Sequence, residues 1–159
     1  MTPAIRAAER AGIAHRVLSY DHDPRAAAYG PEAATALGLD PAQVFKTLVV
    51  ALEGAPRSAA LAVAVVPVAR QLDLKTAADA LGAKRVALAD VALAERTTGY
   101  VVGGISPLGQ RKALSTVLDT SALAWPEIFV SAGRRGLEIA LAPADLLQLT
   151  GGKSATIAR

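Results

Sequence analysis

The residues best suited to chemistry fall in three stretches. Lys46 stands inside an apolar run, V-F-K-T-L-V-V. An ammonium there either points off a solvated sheet face or enters a site, where it can bind an anion or an ester carbonyl. The second stretch is G-G-I-S-P-L-G, from Gly103 and Gly104 through Ile105, Ser106 and Pro107 to Gly109, followed by Gln110, Arg111 and Lys112. Glycines let backbone approach a ligand closely, and free N–H groups there can hold a phosphate or an oxyanion. A turn-rich connection has the same composition. The third is S-A-G-R-R-G-L-E-I, Ser131–Ile139, which reads as a hairpin loop with an exposed Arg134–Arg135 pair. By period two, Glu138 faces away from Leu137 and Ile139, toward solvent or into a cleft. Two of the three tyrosines, Tyr20 and Tyr29, flank the D-H-D-P loop. They suit a pocket wall, and a half-buried tyrosine at a strand end suits Tyr20 equally.

What is missing narrows the chemistry. Without cysteine there is no thiolate nucleophile, no disulfide and no cysteine metal site. Of the two histidines, His15 falls in an expected strand and His22 in a polar loop, and both read as structural or surface residues. No G-x-S-x-G, H-E-x-x-H or Walker motif is present. An enzyme built from these residues is not expected to use a standard nucleophile–base pair. Neither a metal nor an organic cofactor is indicated.

Positioning these groups falls to short helices and strands. Thr2 and Pro3 start a helix that Gly12 can end. Alternation from His15 to Asp21 suits a strand, and Asp21–Gly30 is polar and turn-rich. Pro31–Leu37 reads as a helix, and Asp40 and Pro41 open a further helical turn. The apolar runs Val44–Leu52 and Ala59–Val66, joined by a Glu53–Ser58 loop, are expected to pair as a hairpin. Asp73 and Asp90 cap helices that run to Leu81 and to about Thr97. Strands are expected at Val86–Ala89, Leu114–Asp119, Ile128–Ala132 and Leu137–Leu141, the last two around Gly133–Gly136, and Pro143 begins a final helix through Leu149. Strands interleaved with helices, plus two hairpins, indicate a mixed sheet in one α/β domain spanning residues 1–159.

Bulk composition fits. A chain of 159 residues that is 52% apolar and 19% charged can bury one core, built by Ala, Val and Leu because aromatics reach only 4%. No window approaches the ~20 apolar residues of a membrane span, and the N-terminus lacks a secretory pattern, so a cytoplasmic protein without a membrane partner is expected. The net charge of +3 permits a polyanionic partner without demanding one. Three basic pairs, Lys84–Arg85, Arg111–Lys112 and Arg134–Arg135, could follow nucleic-acid phosphates if they share a face; scattered surface pairs are the alternative. No base-reading element or aromatic stacking platform is visible, and DNA is not an expected partner.

Five segments in order, Y-D-H-D-P, V-F-K-T-L, V-A-R-Q-L-D-L-K, T-G-Y-V-V-G-G-I-S-P-L-G-Q and V-S-A-G-R-R-G-L-E-I, together resemble the YbaK family of aminoacyl-tRNA deacylases, relatives of the editing domain of bacterial prolyl-tRNA synthetases. The resemblance covers nearly the whole chain and is strongest to the branch that clears cysteine from tRNA(Pro). It implies a mixed α/β fold with a curled, barrel-like sheet around a small cleft. It also implies an aminoacyl-tRNA substrate, with prolyl-tRNA synthetase as the source of the mischarged species. The family's central lysine falls on Lys46, its pocket tyrosine on Tyr20, its glycine loop on Gly103–Gly109 and its serine–glycine hairpin on Ser131–Gly136. The catalytic set so implied is Lys46, Gly103 and Tyr20. The substrate-binding set is Tyr29, Gly104, Ile105, Ser106, Pro107, Ser131, Gly133, Gly136 and Glu138. For the cysteine branch the resemblance implies substrate-assisted cleavage, in which the substrate's thiol attacks its own ester. Alanine- or serine-clearing activity, or a non-catalytic RNA- or nucleotide-binding module, are the alternatives. Ala132 and Glu138 stand where family members often carry Gly and Asp.

Overall fold

A computed structural model describes residues 1–25, 29–56 and 60–159. Five helices and eight strands alternate along it: α1 (Pro3–Arg10), β1 (His15–Ser19), α2 (Tyr29–Leu37), β2 (Phe45–Glu53), β3 (Leu61–Pro67), α3 (Leu74–Leu81), β4 (Arg85–Leu88), α4 (Val91–Thr98), β5 (Ser115–Asp119), β6 (Ile128–Arg134), β7 (Leu137–Leu141), α5 (Pro143–Thr150) and β8 (Lys153–Ala155). Capping side chains start the helices where their chemistry predicts. Thr2 accepts from the Ile5 N–H, Asp73 from Lys75 and Thr76, and Asp90 from Leu93. Thr2 also donates its hydroxyl to the Ala132 carbonyl, which ties α1 to β6.

The strands form two sheets, ordered β1-β7-β6 and β4-β2-β3-β5-β8. The expected β2–β3 hairpin is antiparallel, with Lys46 opposite Val66 and Val49 opposite Val63. β3 also pairs in parallel with β5, so the larger sheet is mixed. The sheets meet where β2 begins: Val44 bridges Phe129, and the Phe129 N–H donates to the Gln43 carbonyl. The structure thus has the expected mixed α/β fold, with the sheet divided in two rather than closed into a barrel. The expected Glu53–Ser58 loop and Asp21–Gly30 segment each extend partly outside the described residues.

Residues Ala62 to Val66 of β3 are wholly buried on both sides, as a central strand requires. Val63 and Val65 join Phe45, Leu118, Ile128 and Ile139 in the main core. Ala64 and Val66 face the opposite way, onto Ala77 of α3 and Ile157. At the end of β5, buried Asp119 accepts from the N–H groups of Ile157 and Ala158 at 2.9 Å each and from Ser121. Burial pushes its carboxyl up, but these donors together outweigh burial and hold it below its usual value.

Candidate active site

A cavity of about 380 Å³ opens where the sheets part, walled by β2, the end of β4, α4, the glycine loop and the β6–β7 pair. Five of the residues singled out above line it: Lys46, Gly103, Ile105, Ser131 and Glu138. They are separated by up to 92 residues in sequence and meet because β2 starts at the junction of the sheets.

On β2, Lys46 is half-buried, and among the described residues it makes no hydrogen bond or ion pair. Its side of the strand is not an open polar face, since Leu48 and Val50, two and four residues on, pack into apolar clusters. Desolvation lowers its pKa. Neighbouring Thr47 also lines the cavity, with a buried hydroxyl oxygen lacking a partner. Sequence periodicity gave no reason to select it.

Glu138 resolves to the cleft. It pairs with Leu18 and Ser131 across the smaller sheet, and its Oε2 is buried without a partner. Burial pushes its carboxyl up to about 8, so it is mostly protonated at neutral pH. The folded state therefore holds a proton that the unfolded chain releases above its ordinary value of 4.5. Stability should fall as pH rises from about 4.5 to about 8, then level off, by about 1.4 kcal/mol per pH unit at most. Urea unfolding between pH 5 and 9 should show this decline in the wild type and lose it in Glu138→Gln. Parallel profiles for the two would refute it.

The glycine loop is fastened at several points. A carboxylate oxygen of Glu95 on α4 accepts from the Val102 N–H at 2.9 Å. The buried Tyr100 hydroxyl donates to the Leu108 carbonyl at 2.6 Å, and burial raises its pKa to about 12. Ser106 accepts from the Leu108 N–H, and Gln110 donates back to the Ser106 carbonyl. Between these ties, Gly104's N–H is consumed by the Val101 carbonyl. The N–H groups of Gly103 and Ile105 have no partner among the described residues. Two anchored, unspent donors on a cavity wall are the raw material of an oxyanion site. Gly103 has φ +96°, a conformation that disfavours side chains. At Gly104 a Cβ would lie 2.6 Å from Arg134 Cα, so only glycine lets the loop lie against the β6–β7 turn.

The other selected residues lie off the cavity wall. Gly104, Ser106 and Pro107 are buried behind it. Gly133 and Gly136 shape the β6–β7 turn, where the Gly133 N–H donates to Ser131 Oγ and the Gly136 carbonyl accepts from Tyr20 N–H. Tyr20 sits beside the cavity. Its pKa is raised, chiefly by burial and further by Glu138 and Glu32, against a lowering Gly136 hydrogen bond and Arg135. Tyr29 opens α2, and its side chain lies outside the described residues. Neither histidine lines the cavity: His15 bonds the Ile13 carbonyl, and His22 bridges Glu32 and Arg135. Arg135 is therefore engaged rather than simply solvated.

An apolar cavity with a partnerless lysine, two orphaned side-chain oxygens and two unspent amides is a ligand site. Residues 23–149 match the aminoacyl-tRNA editing domain, and the chain belongs to that family. Over 125 residues it is 43% identical to an Enterococcus faecalis protein named "Putative Cys-tRNA(Pro)/Cys-tRNA(Cys) deacylase EbsC", covering 78% of this chain and 73% of that one. A solved structure of "a putative trans-editing enzyme for prolyl tRNA synthetase" superposes with TM-score 0.84 at 27% identity, over 100% of this chain and 99% of that one. A hypothetical protein of known structure shares the fold, with TM-score 0.85 at 24% identity over 99% and 100% of the two chains. The YbaK resemblance carried by the five segments holds. Among the described residues, no helix is long and apolar enough to cross a membrane.

Proposed function

We propose that this protein is a trans-editing deacylase that removes cysteine misattached to tRNA(Pro), acting in the cytoplasm on errors made by prolyl-tRNA synthetase. The observation that carries the proposal is a cavity with oxyanion donors but, among the described residues, no assembled nucleophile–base pair. Its hydroxyls belong to Thr47 and Ser131, and no hydrogen bond joins either to Lys46 or Glu138. Glu138, mostly protonated at neutral pH, is a poor general base there. That arrangement fits the substrate-assisted cleavage that the resemblance to the cysteine branch implies, in which the substrate supplies the nucleophile. The cysteine sulfur attacks its own ester carbonyl, a carbon–sulfur bond forms, and the carbon–oxygen bond to the terminal ribose breaks. The thiol's proton passes to the departing ribose oxygen, and a four-membered thiolactone leaves to hydrolyse in water.

In this scheme the protein orients the ester and stabilises the tetrahedral oxyanion with the Gly103 and Ile105 N–H groups, while Lys46 anchors the adenosine or aminoacyl end. Ser131 borders that pocket. The relative named for Cys-tRNA(Pro) and Cys-tRNA(Cys) supports cysteine as the amino acid. Single-turnover assays with Cys-tRNA(Pro) and Ala-tRNA(Pro) test the reading. Rapid loss of cysteine with alanine retained is expected. Equal loss of both would point to attack by water, and tRNA binding without deacylation would leave a binding module.

A further inference from the structure

The three basic pairs sit on different elements. Lys84 and Arg85 lie at the end of β4 away from the cavity, with Arg85 opposite Glu53. Arg134 and Arg135 sit at the β6–β7 turn, with Arg135 bonded to His22. Arg111 and Lys112 are different. Their N–H groups donate to the Thr98 and Thr97 carbonyls, which lays them along the last turn of α4, where Arg96 already stands. All three cations are exposed, and none makes an ion pair among the described residues. Glu95, the acidic neighbour on α4, is committed to the Val102 N–H.

The opposite end of α4 walls the cavity through Val91 and Ala94. Eight residues of helix span about 12 Å, the axial rise of roughly three to four stacked nucleotides. Near that end Leu88 and Val91, both cavity-lining, are 63% and 55% exposed. A ligand fully enclosed by the cavity would make no use of exposed apolar groups at its mouth. One that runs out across them toward the cations would.

We propose that α4 is the guide for the RNA strand: the 3′-terminal nucleotides cross the apolar mouth formed by Leu88 and Val91, and the phosphates behind them meet Arg96, Arg111 and Lys112. This surface rests on the deacylase reading for its partner, but its test does not require catalysis. The measurement is equilibrium binding of uncharged tRNA(Pro) across a salt series. The variants are Arg96→Gln/Arg111→Gln/Lys112→Gln and a charge-matched control, Arg10→Gln/Lys75→Gln/Lys153→Gln, whose exposed cations lie on α1, α3 and β8. The α4 variant should bind about 10- to 100-fold more weakly, and its log–log salt slope should be shallower by about 2 to 3. The control should bind like wild type. Equal loss in both triples would reduce the effect to net charge and overturn the proposal, as would unchanged binding by the α4 triple. Each α4 single variant, with fold checked by circular dichroism, should show part of the loss, so misfolding of the triple leaves the proposal exposed to refutation. Binding lost from the α4 triple while wild type fails to deacylate Cys-tRNA would sustain this surface and sink the enzyme reading. Normal deacylation with α4-independent binding would do the reverse.

Discussion

Lys46→Ala is expected to lower kcat/KM for Cys-tRNA(Pro) deacylation by about 100-fold while leaving the fold at least as stable as wild type. The two effects share one cause. Lys46 is half-buried against apolar side chains, and no acceptor in the described protein compensates its ammonium. A desolvated cation with no internal partner is a cost to folding that a ligand can offset. Contacts from a charged donor in such a site contribute about 1.5–3 kcal/mol, a factor of roughly 10 to 150. Truncation removes both the cost and the contact. A structural lysine would behave in the opposite way, with stability lost and activity falling only in proportion to folded protein. Lys46→Arg should not restore activity, because a planar guanidinium is larger and presents its donors in a different geometry. Thermal unfolding beside steady-state kinetics separates the readings. A clear drop in melting temperature with near-normal kcat/KM would overturn the assignment.

Gly103→Ala should slow the chemical step by about 100- to 1000-fold, measured under single turnover at saturating enzyme. At φ +96° an alanine is strained. The backbone can relieve that strain only by rotating, yet Glu95 holds it at Val102 and the Val101 carbonyl holds it at Gly104. Rotation at Gly103, between these two anchors, therefore re-aims its own N–H. Loss of one oxyanion donor costs 100- to 1000-fold in known cases. tRNA binding should change little, because these donors are committed to the transition state rather than the ground state. A tenfold effect or less, or an effect confined to binding, would contradict the role given to this loop.

Local signals made much of this architecture legible. Thr2, Asp73 and Asp90 announced helix starts through their side-chain oxygens, and the apolar runs of β2 and β3 announced a buried hairpin. β8 was invisible: three residues in a polar, glycine-flanked stretch become a strand only because β5 offers an edge in parallel register. The 3-10 turn Thr120–Ala124 was likewise missed, since Asp119 caps it while also gripping the chain's last residues. The division into two sheets, joined at the Val44–Phe129 bridge, could not be read, because it depends on strand order.

The site divides along the same line. Lys46, Gly103 and Glu138 were conspicuous as chemical types out of place, and each reaches the cavity. Ser106 and Pro107 sit in the same glycine-rich string, but the loop turns them inward. Nothing in the spacing gives Thr47, Glu95 or Tyr100 a role. Their importance lies in long-range or loop contacts that spacing does not encode.

The central claim is that the substrate's sulfur, and no group of the protein, attacks the ester. Its most direct test compares single-turnover deacylation of Cys-tRNA(Pro) with Ser-tRNA(Pro), substrates that differ by sulfur against oxygen at one atom. A pocket that distinguishes the two by fit alone reaches about 100-fold. If the sulfur is the nucleophile, serine should be released at least about 1000-fold more slowly, because its alcohol has no activating base in the cavity. Release of serine at a rate within about tenfold of cysteine would contradict the claim and place the nucleophile on water or on the protein.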